Sequence, residues 1–391
     1  MNYQFDQVTD RQGTSSIKVE GLKEHWGRTD LIPLWVADMD FPTAPFVTEA
    51  IRNRLDKQIL GYTCKPDSYY EAIINWNRNR YGLEVEKKHI HYVPGIVQGL
   101  GLAINAFTHP GDRIMIQTPV YPPFFWLPQR NGRVLVEQPL VWKNGELRMD
   151  LDTFREKVHG CKVFILCNPH NPGGTVWTEK ELETVANICA EEGVIVFSDE
   201  IHGDLTLPPL KHRPFASISR KARMNSVTFM SPSKAFNMPG LSASHTFIFK
   251  EELLDRFHTF MERFELDFGH VFSFVGVEAA YTHGTEWLNA CLAQVQSNID
   301  YVDSFLQEHA PKIKAVRPQA SFLVWLDCRE LNLPQEELND FFVDKAHLAL
   351  NNGEMFGKEG IGFMRLNVAS PRCILEQAMN QLAEAYQQYV K

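Results

Sequence analysis

Strand-like and helix-like stretches alternate through the middle of this chain. That alternation predicts an α/β fold: a large domain with a mostly parallel sheet sandwiched by helices, plus a smaller α+β domain formed by the N- and C-terminal segments. Two further observations agree. At 391 residues the chain is too long for one ordinary core. The run Val163-Phe164-Ile165-Leu166 is apolar without alternation, as a strand covered on both faces must be. The expected division is 1–48 for the N-terminal part of the small domain, 49–284 for the large domain and 285–391 for the C-terminal part of the small domain.

In chain order, residues 89–93 read as a strand and 96–107 as a helix, which His109-Pro110-Gly111-Asp112 stops. Residues 113–117 and the apolar 162–168 are strands. Thr178 opens a helix with a capping box to Glu181, and Gly193 closes it after Glu192. Residues 194–197 and 226–230 are strands. A long helical pattern then covers 273–309, followed by a strand at 321–327, a helix at 335–347, a strand at 362–368 and a closing helix from about 374 to 389. No internal repeat, low-complexity tract or linker interrupts the order.

Composition excludes some functions. A net charge of −9 disfavours nucleic-acid binding, which needs Lys and Arg to neutralise phosphates. No apolar run approaches membrane-spanning length. The opening Met1-Asn2-Tyr3-Gln4-Phe5-Asp6 lacks the basic region and apolar stretch of a signal peptide. The seven cysteines form no Cys-x-x-Cys pair, so buried free thiols and a cytoplasmic location are expected. No metal site is expected either: Asp199-Glu200-Ile201-His202 lacks a ligand set, and His89 and His91 lack a third partner.

Ligands on parallel sheets sit beyond the carboxyl ends of the strands. The chemically distinctive residues follow strands in every case: Gly95, Tyr121, Asn171, Asp199 and Lys234. Lys234 ends Ser231-Pro232-Ser233-Lys234, where an amine is placed to bond an aldehyde; elsewhere a lone lysine is a surface charge. Asp199 ends an apolar strand, where it would pair with a protonated ring nitrogen rather than cap a helix. Asn171, in Asn171-Pro172-Gly173-Gly174, would donate to a ring oxygen, although Asn-Pro-Gly is also ordinary turn chemistry.

Gly95-Ile96-Val97 opens a helix whose free N–H groups and dipole favour an anion, and Ser231 and Ser233 would add hydroxyl donors. There is no G-x-G-x-x-G fingerprint, so a dinucleotide is not indicated. Tyr121 either stacks on a ring or packs as a loop aromatic. Arg365 lies in an otherwise apolar strand and needs an anion, either a substrate carboxylate or a structural partner. Together these groups are what pyridoxal 5′-phosphate (PLP) and an amino-acid substrate require.

These motifs resemble the fold-type-I PLP-dependent enzymes of the class I/II aminotransferase superfamily. Asp199 follows Asn171 by 28 residues, Lys234 follows Asp199 by 35, and Arg365 comes long after. More narrowly, the chain is similar to the MalY/PatB-type cystathionine β-lyase branch. The segments that say so are Trp35-Val36-Ala37-Asp38-Met39-Asp40-Phe41-Pro42, Asp199-Glu200-Ile201-His202, Ser233-Lys234-Ala235-Phe236-Asn237 and residues 356–367. The resemblance implies that Tyr62 reaches the phosphate of a neighbouring subunit, hence a homodimer with shared active sites. It also implies that Ala37 joins Arg365 at the substrate carboxylate. Two positions depart from the wider aminotransferase pattern: His202 stands where Tyr is frequent, and Ser242 where an Arg often binds phosphate. Phosphate binding then falls more on Tyr62 and backbone donors. His202 either contacts a cofactor oxygen or packs beside it.

The implied activity is that of a carbon–sulfur lyase acting on small amino acids by α,β-elimination. Lys234 takes the α-proton, a thiolate leaves the β-carbon, and pyruvate and ammonia follow. Two other readings stay open. An aminotransferase would share the site but return the proton to the cofactor. A regulatory protein would use the scaffold to bind a partner, as the branch allows, but no surface in the sequence marks one.

Overall fold

The computed structural model describes residues 3–389. The first two residues of the expected segment 1–48, and the last two of 285–391, lie outside the described residues. Seven strands form the central sheet: β1 (Ile90–Val93), β2 (Arg113–Thr118), β3 (Val134–Pro139), β4 (Val163–Cys167), β5 (Ile195–Asp199), β6 (Ser226–Met230) and β7 (Ser244–Ile248). Their order is β1-β7-β6-β5-β4-β2-β3. β7 runs antiparallel to both neighbours, and every other pairing is parallel.

Every residue of β4, β6 and β7 is buried, because helices cover both faces of the sheet. Leu100 and Ile104 from helix Ile96–Phe107 and Phe257 from Glu251–Arg263 pack with Phe229 on one face. Phe154 from Leu151–Val158 and Leu182 from Glu179–Glu192 pack with Phe164 and Val196 on the other. Each large apolar side chain buried this way is worth roughly 1.5–3 kcal/mol.

Local chemistry sets the element ends. Thr178 Oγ1 accepts from the Glu181 amide at 3.2 Å, Glu181 Oε2 accepts from the Thr178 amide at 2.8 Å, and Gly193 closes the helix in the left-handed conformation. The helical pattern over 273–309 divides into Val271–His283 and Thr285–His309. Gly284 sits at the division, where a Cβ would overlap the Phe236 ring and the Ala280 carbonyl oxygen. The helix expected over 335–347 is α-helical only at Gln335–Asp340, then widens into a π-type turn at Phe341–Lys345. Two strands of the central sheet were not expected from the sequence: β3, on the sheet edge, and β7, whose buried Ser244, His245 and Thr246 disguise an interior strand.

A smaller sheet contains β8 (Lys314–Val316), β9 (Leu323–Asp327), β10 (Asn351–Asn352) and β11 (Phe363–Asn367), ordered β8-β9-β11-β10 and antiparallel throughout. The N-terminal segment joins this region. Ile32–Pro33 pairs in parallel with Leu348–Ala349, and the Asn367 amide donates to the Leu34 carbonyl at 2.9 Å. One continuous core links Phe5 and Phe41 to Trp76, Phe236, Leu288, Leu323, Leu366 and Leu382. All seven cysteines are free. Among the described residues no helix is long and apolar enough to cross a membrane, and no group of three His, Cys, Asp or Glu side chains is placed to hold a metal ion.

Candidate active site

The strand order reverses between β2 and β4, and the loops beyond the strand ends converge beside that switch. Gly95 lies just past β1, Tyr121 past β2, Asn171 past β4 and Lys234 past β6, while Asp199 is the last residue of β5. All five line one cleft, together with Ala37, Ile96, Val97, His202 and Ser233.

Burial sets the charges in this cleft. Asp199 Oδ1 accepts from the Ile201 amide at 3.1 Å. Burial raises the Asp199 carboxyl to about 7, against the Ile201 bond and the pull of Lys234. Lys234 Nζ donates to the Ala37 carbonyl at 2.5 Å. Burial lowers its amine to about 8, with Arg365 adding to the effect and Asp38 and Asp199 opposing it. Burial also raises the Tyr121 hydroxyl and pushes His202 down to about 3, so His202 is neutral; its Nδ1 is buried without a partner. An acid pushed up and an amine pushed down in one cleft are the pattern of proton-transfer sites.

One end of the cleft is shaped for an anion. Gly95 precedes helix Ile96–Phe107 with φ 146°, and a Cβ there would collide with Gln98 Oε1. The open N–H groups of the first turn therefore lie in the cleft, beside Ser233, Ser242 and Ser244. Ser231 stands behind this layer: its hydroxyl lies 2.6 Å from the Ala243 carbonyl oxygen and accepts from the Ser233 amide at 3.1 Å. Tyr62 is fully exposed on the loop between helices Pro45–Leu55 and Asp67–Tyr81, and it does not line this chain's cleft.

Arg365, on β11, does not line the cleft itself but adjoins it through Asn171, which does. Nη1 donates to Asn171 Oδ1 at 3.1 Å, and Nη2 donates to Asn351 Oδ1 at 2.5 Å and to the Trp35 carbonyl at 3.2 Å. The Phe356 ring lies 4.8 Å from Cζ. Among the described residues no carboxylate hydrogen-bonds to Arg365, and its Nε has no partner. Burial lowers the guanidinium to about 10. A buried cation met only by neutral acceptors keeps its charge for an incoming anion. Because Arg365 occupies the Asn171 oxygen, Asn171 Nδ2 is left as a donor in the cleft.

Several residues that shape the site were not singled out from sequence. Asn351 comes from a different strand. Asn237, with φ 51°, accepts from the Met39 amide at 3.0 Å and donates to the Met39 and Phe41 carbonyls at 2.9 and 2.7 Å. Asn367 Nδ2 donates to the Val36 and Asp38 carbonyls, both at 2.7 Å. These side chains pin residues 35–41 as a strap beside the cleft. Their only signal in the sequence is their place three residues after Lys234 and two after Arg365.

The residues fit a phosphorylated pyridine aldehyde. A free oxygen of a buried acid, a depressed amine, an unused amide donor, an orphaned imidazole nitrogen and a glycine-opened helix start all converge. Known proteins agree. The chain is 39% identical over 383 residues to cystathionine beta-lyase PatB of Bacillus subtilis (strain 168), covering 97% of this chain and 99% of that protein. Its fold superposes on cystalysin from Treponema denticola, which contains a pyridoxal 5′-phosphate cofactor, with a TM-score of 0.96 at 30% identity over 100% of both chains. The PLP-bound C–S lyase from Staphylococcus hominis gives 0.92 at 35% identity, over 99% of this chain and 98% of that one. The profile of aminotransferase class I and II matches residues 29–382, so the protein belongs to that family.

Proposed function

We propose that this protein is a PLP-dependent carbon–sulfur β-lyase that cleaves the Cβ–S bond of small sulfur amino acids by α,β-elimination, releasing a thiol, pyruvate and ammonia. The observation that carries the reading is the single cleft in which burial depresses the Lys234 amine and raises the Asp199 carboxyl, beside an Arg365 without a carboxylate partner. The names of the B. subtilis and S. hominis relatives favour lyase over transferase chemistry.

Bound PLP supplies an electron sink for the charge left at the substrate α-carbon. The chain supplies the rest. Lys234 would hold the cofactor through its aldehyde, and Asp199 would pair with the ring nitrogen and keep it cationic. Asn171 Nδ2 and His202 would serve the ring oxygen, and Tyr121 would bind the ring. The amides of Gly95, Ile96 and Val97, with Ser233 and behind it Ser231, hold the phosphate. Arg365 and the Ala37 amide take the substrate carboxylate; among the described residues that amide donates to nothing else. Lys234 Nζ would be the group that takes the α-proton of the substrate. An amine lowered to about 8 has a usable neutral fraction near neutral pH.

The same reading divides the chain at 1–48, 49–284 and 285–391 and makes it a homodimer in which Tyr62 completes the neighbour's phosphate site. Free thiols support a cytoplasmic location. The test is incubation of the PLP-loaded protein with cystathionine and no keto acid. Steady pyruvate release over many turnovers, lost in Lys234→Ala, is the expected result. A single half-turnover that resumes only on adding a keto acid would make the protein a transferase instead.

A further inference from the structure

Four charged side chains meet beside the strap at residues 35–41. Lys18 has no exposed side-chain surface; its Nζ lies 2.8 Å from Asp40 Oδ2 and 3.7 Å from Asp38 Oδ1. Arg11 Nη2 lies 2.5 Å from Asp38 Oδ2, and its Nη1 lies 2.9 Å from Asp40 Oδ1. Trp35 Nε1 donates to the Lys18 carbonyl at 3.0 Å, so the cluster grips the strap at both ends. Between those grips sits Ala37, whose carbonyl accepts from Lys234. Two acids and two bases cancel. The cancellation matters because Asp38 and Asp40 stand one and three residues from Ala37.

We propose that Lys18 and Arg11 are positioning residues for an anionic substrate: they neutralise Asp38 and Asp40 and hold the strap so that a carboxylate settles against Ala37 and Arg365. The inference rests on the reading of Ala37 and Arg365 given above. Neither base reaches the cleft; each acts through the strap and through its charge. A full charge of either sign left uncompensated at this range, in a partly buried setting, changes the affinity for a carboxylate by about tenfold.

A clamp that served only to stabilise the fold would respond alike to any breakage. A charge-balancing clamp responds with opposite signs, which gives the test. Lys18→Met leaves a net negative cluster, Asp40→Asn a net positive one, and the double variant restores neutrality. Each PLP-loaded protein is assayed for kcat and KM with cystathionine, and its visible absorbance is titrated against pH.

Lys18→Met is expected to raise KM about tenfold with kcat within about threefold, and to move the absorbance transition to higher pH. Asp40→Asn moves the transition to lower pH without raising KM. The double variant returns both quantities towards the parent, and Lys18→Arg keeps them there. Shifts of the same sign in both single variants, or damage that adds in the double variant, overturn the proposal. Should Lys18→Met fail to fold, Asp40→Asn and the double variant decide the matter through the direction of the absorbance shift. A parent protein that forms no product but shows opposed absorbance shifts in its variants would refute the lyase assignment and leave the clamp standing.

Discussion

Asp199 bears a cost of burial that the Ile201 amide and Lys234 offset only in part and that a cationic ring would offset further. Burial raises its folded-state carboxyl to about 7, from 3.8 in the unfolded chain. Between those values the folded protein binds more protons than the unfolded one, so stability falls as pH rises through the window, and the penalty is complete above about 7. Without PLP, Asp199→Asn is therefore expected to be more stable than the parent at pH 8, on the order of 4 kcal/mol, with a smaller gain at pH 5. With PLP the order reverses, because the parent alone pairs with the ring nitrogen. Thermal unfolding at the two pH values, with and without cofactor, measures both effects. Equal gains at pH 5 and 8 would remove the buried-carboxylate account. Asp199, Lys234 and Asn171 were legible in the sequence because each follows an apolar strand. The neutral cage around Arg365 was not: its acceptors come from β10, from the loop after β4 and from the strap, and only folding brings those segments together.

At the scale of elements, the strap is the least autonomous piece of the site. Residues 35–41 have no strand partner of their own and are held by side chains from both sheets' neighbourhoods. Asn237 makes three of those bonds from a left-handed backbone position. Asn237→Ala is expected to cost about 2–4 kcal/mol in urea unfolding, since it strands strap groups and places alanine at positive φ. Asn237→Gly relieves only the backbone share, about 1 kcal/mol. Equal stability of Ala and Gly at this site would show that φ carries none of the cost. Elements with their own end signals were readable from sequence, as Thr178 and Gly193 show. Those defined by tertiary fit were not. Gly284 has to be glycine because Phe236 fills the space a side chain would need, and β7 hides three polar residues, Ser244, His245 and Thr246, in a fully buried strand.

At the scale of the whole molecule, apolar side chains stand exposed on two loops. Ile59, Leu60 and Tyr62 on one loop and Phe264 and Phe268 on another are all exposed, and Lys65 ties the two loops through Asp267 at 2.7 Å. No periodicity in the sequence announces this patch; it forms because separate loops meet beside helix Val271–His283. In a two-fold dimer with shared sites, each cleft takes its Lys234 from one chain and its Tyr62 from the other. Two defective proteins should then repair each other. Lys234→Ala lacks the amine, and Tyr62→Ala lacks a phosphate contact and loses activity at limiting PLP. After mixing under conditions that exchange subunits, half of the dimers are mixed, and each mixed dimer has one site with both residues intact. Activity at limiting PLP should rise to about a quarter of the parent value. Exchange confirmed by mass difference with no recovery of activity would mean that Tyr62 serves its own chain or none, and the shared site would have to be abandoned.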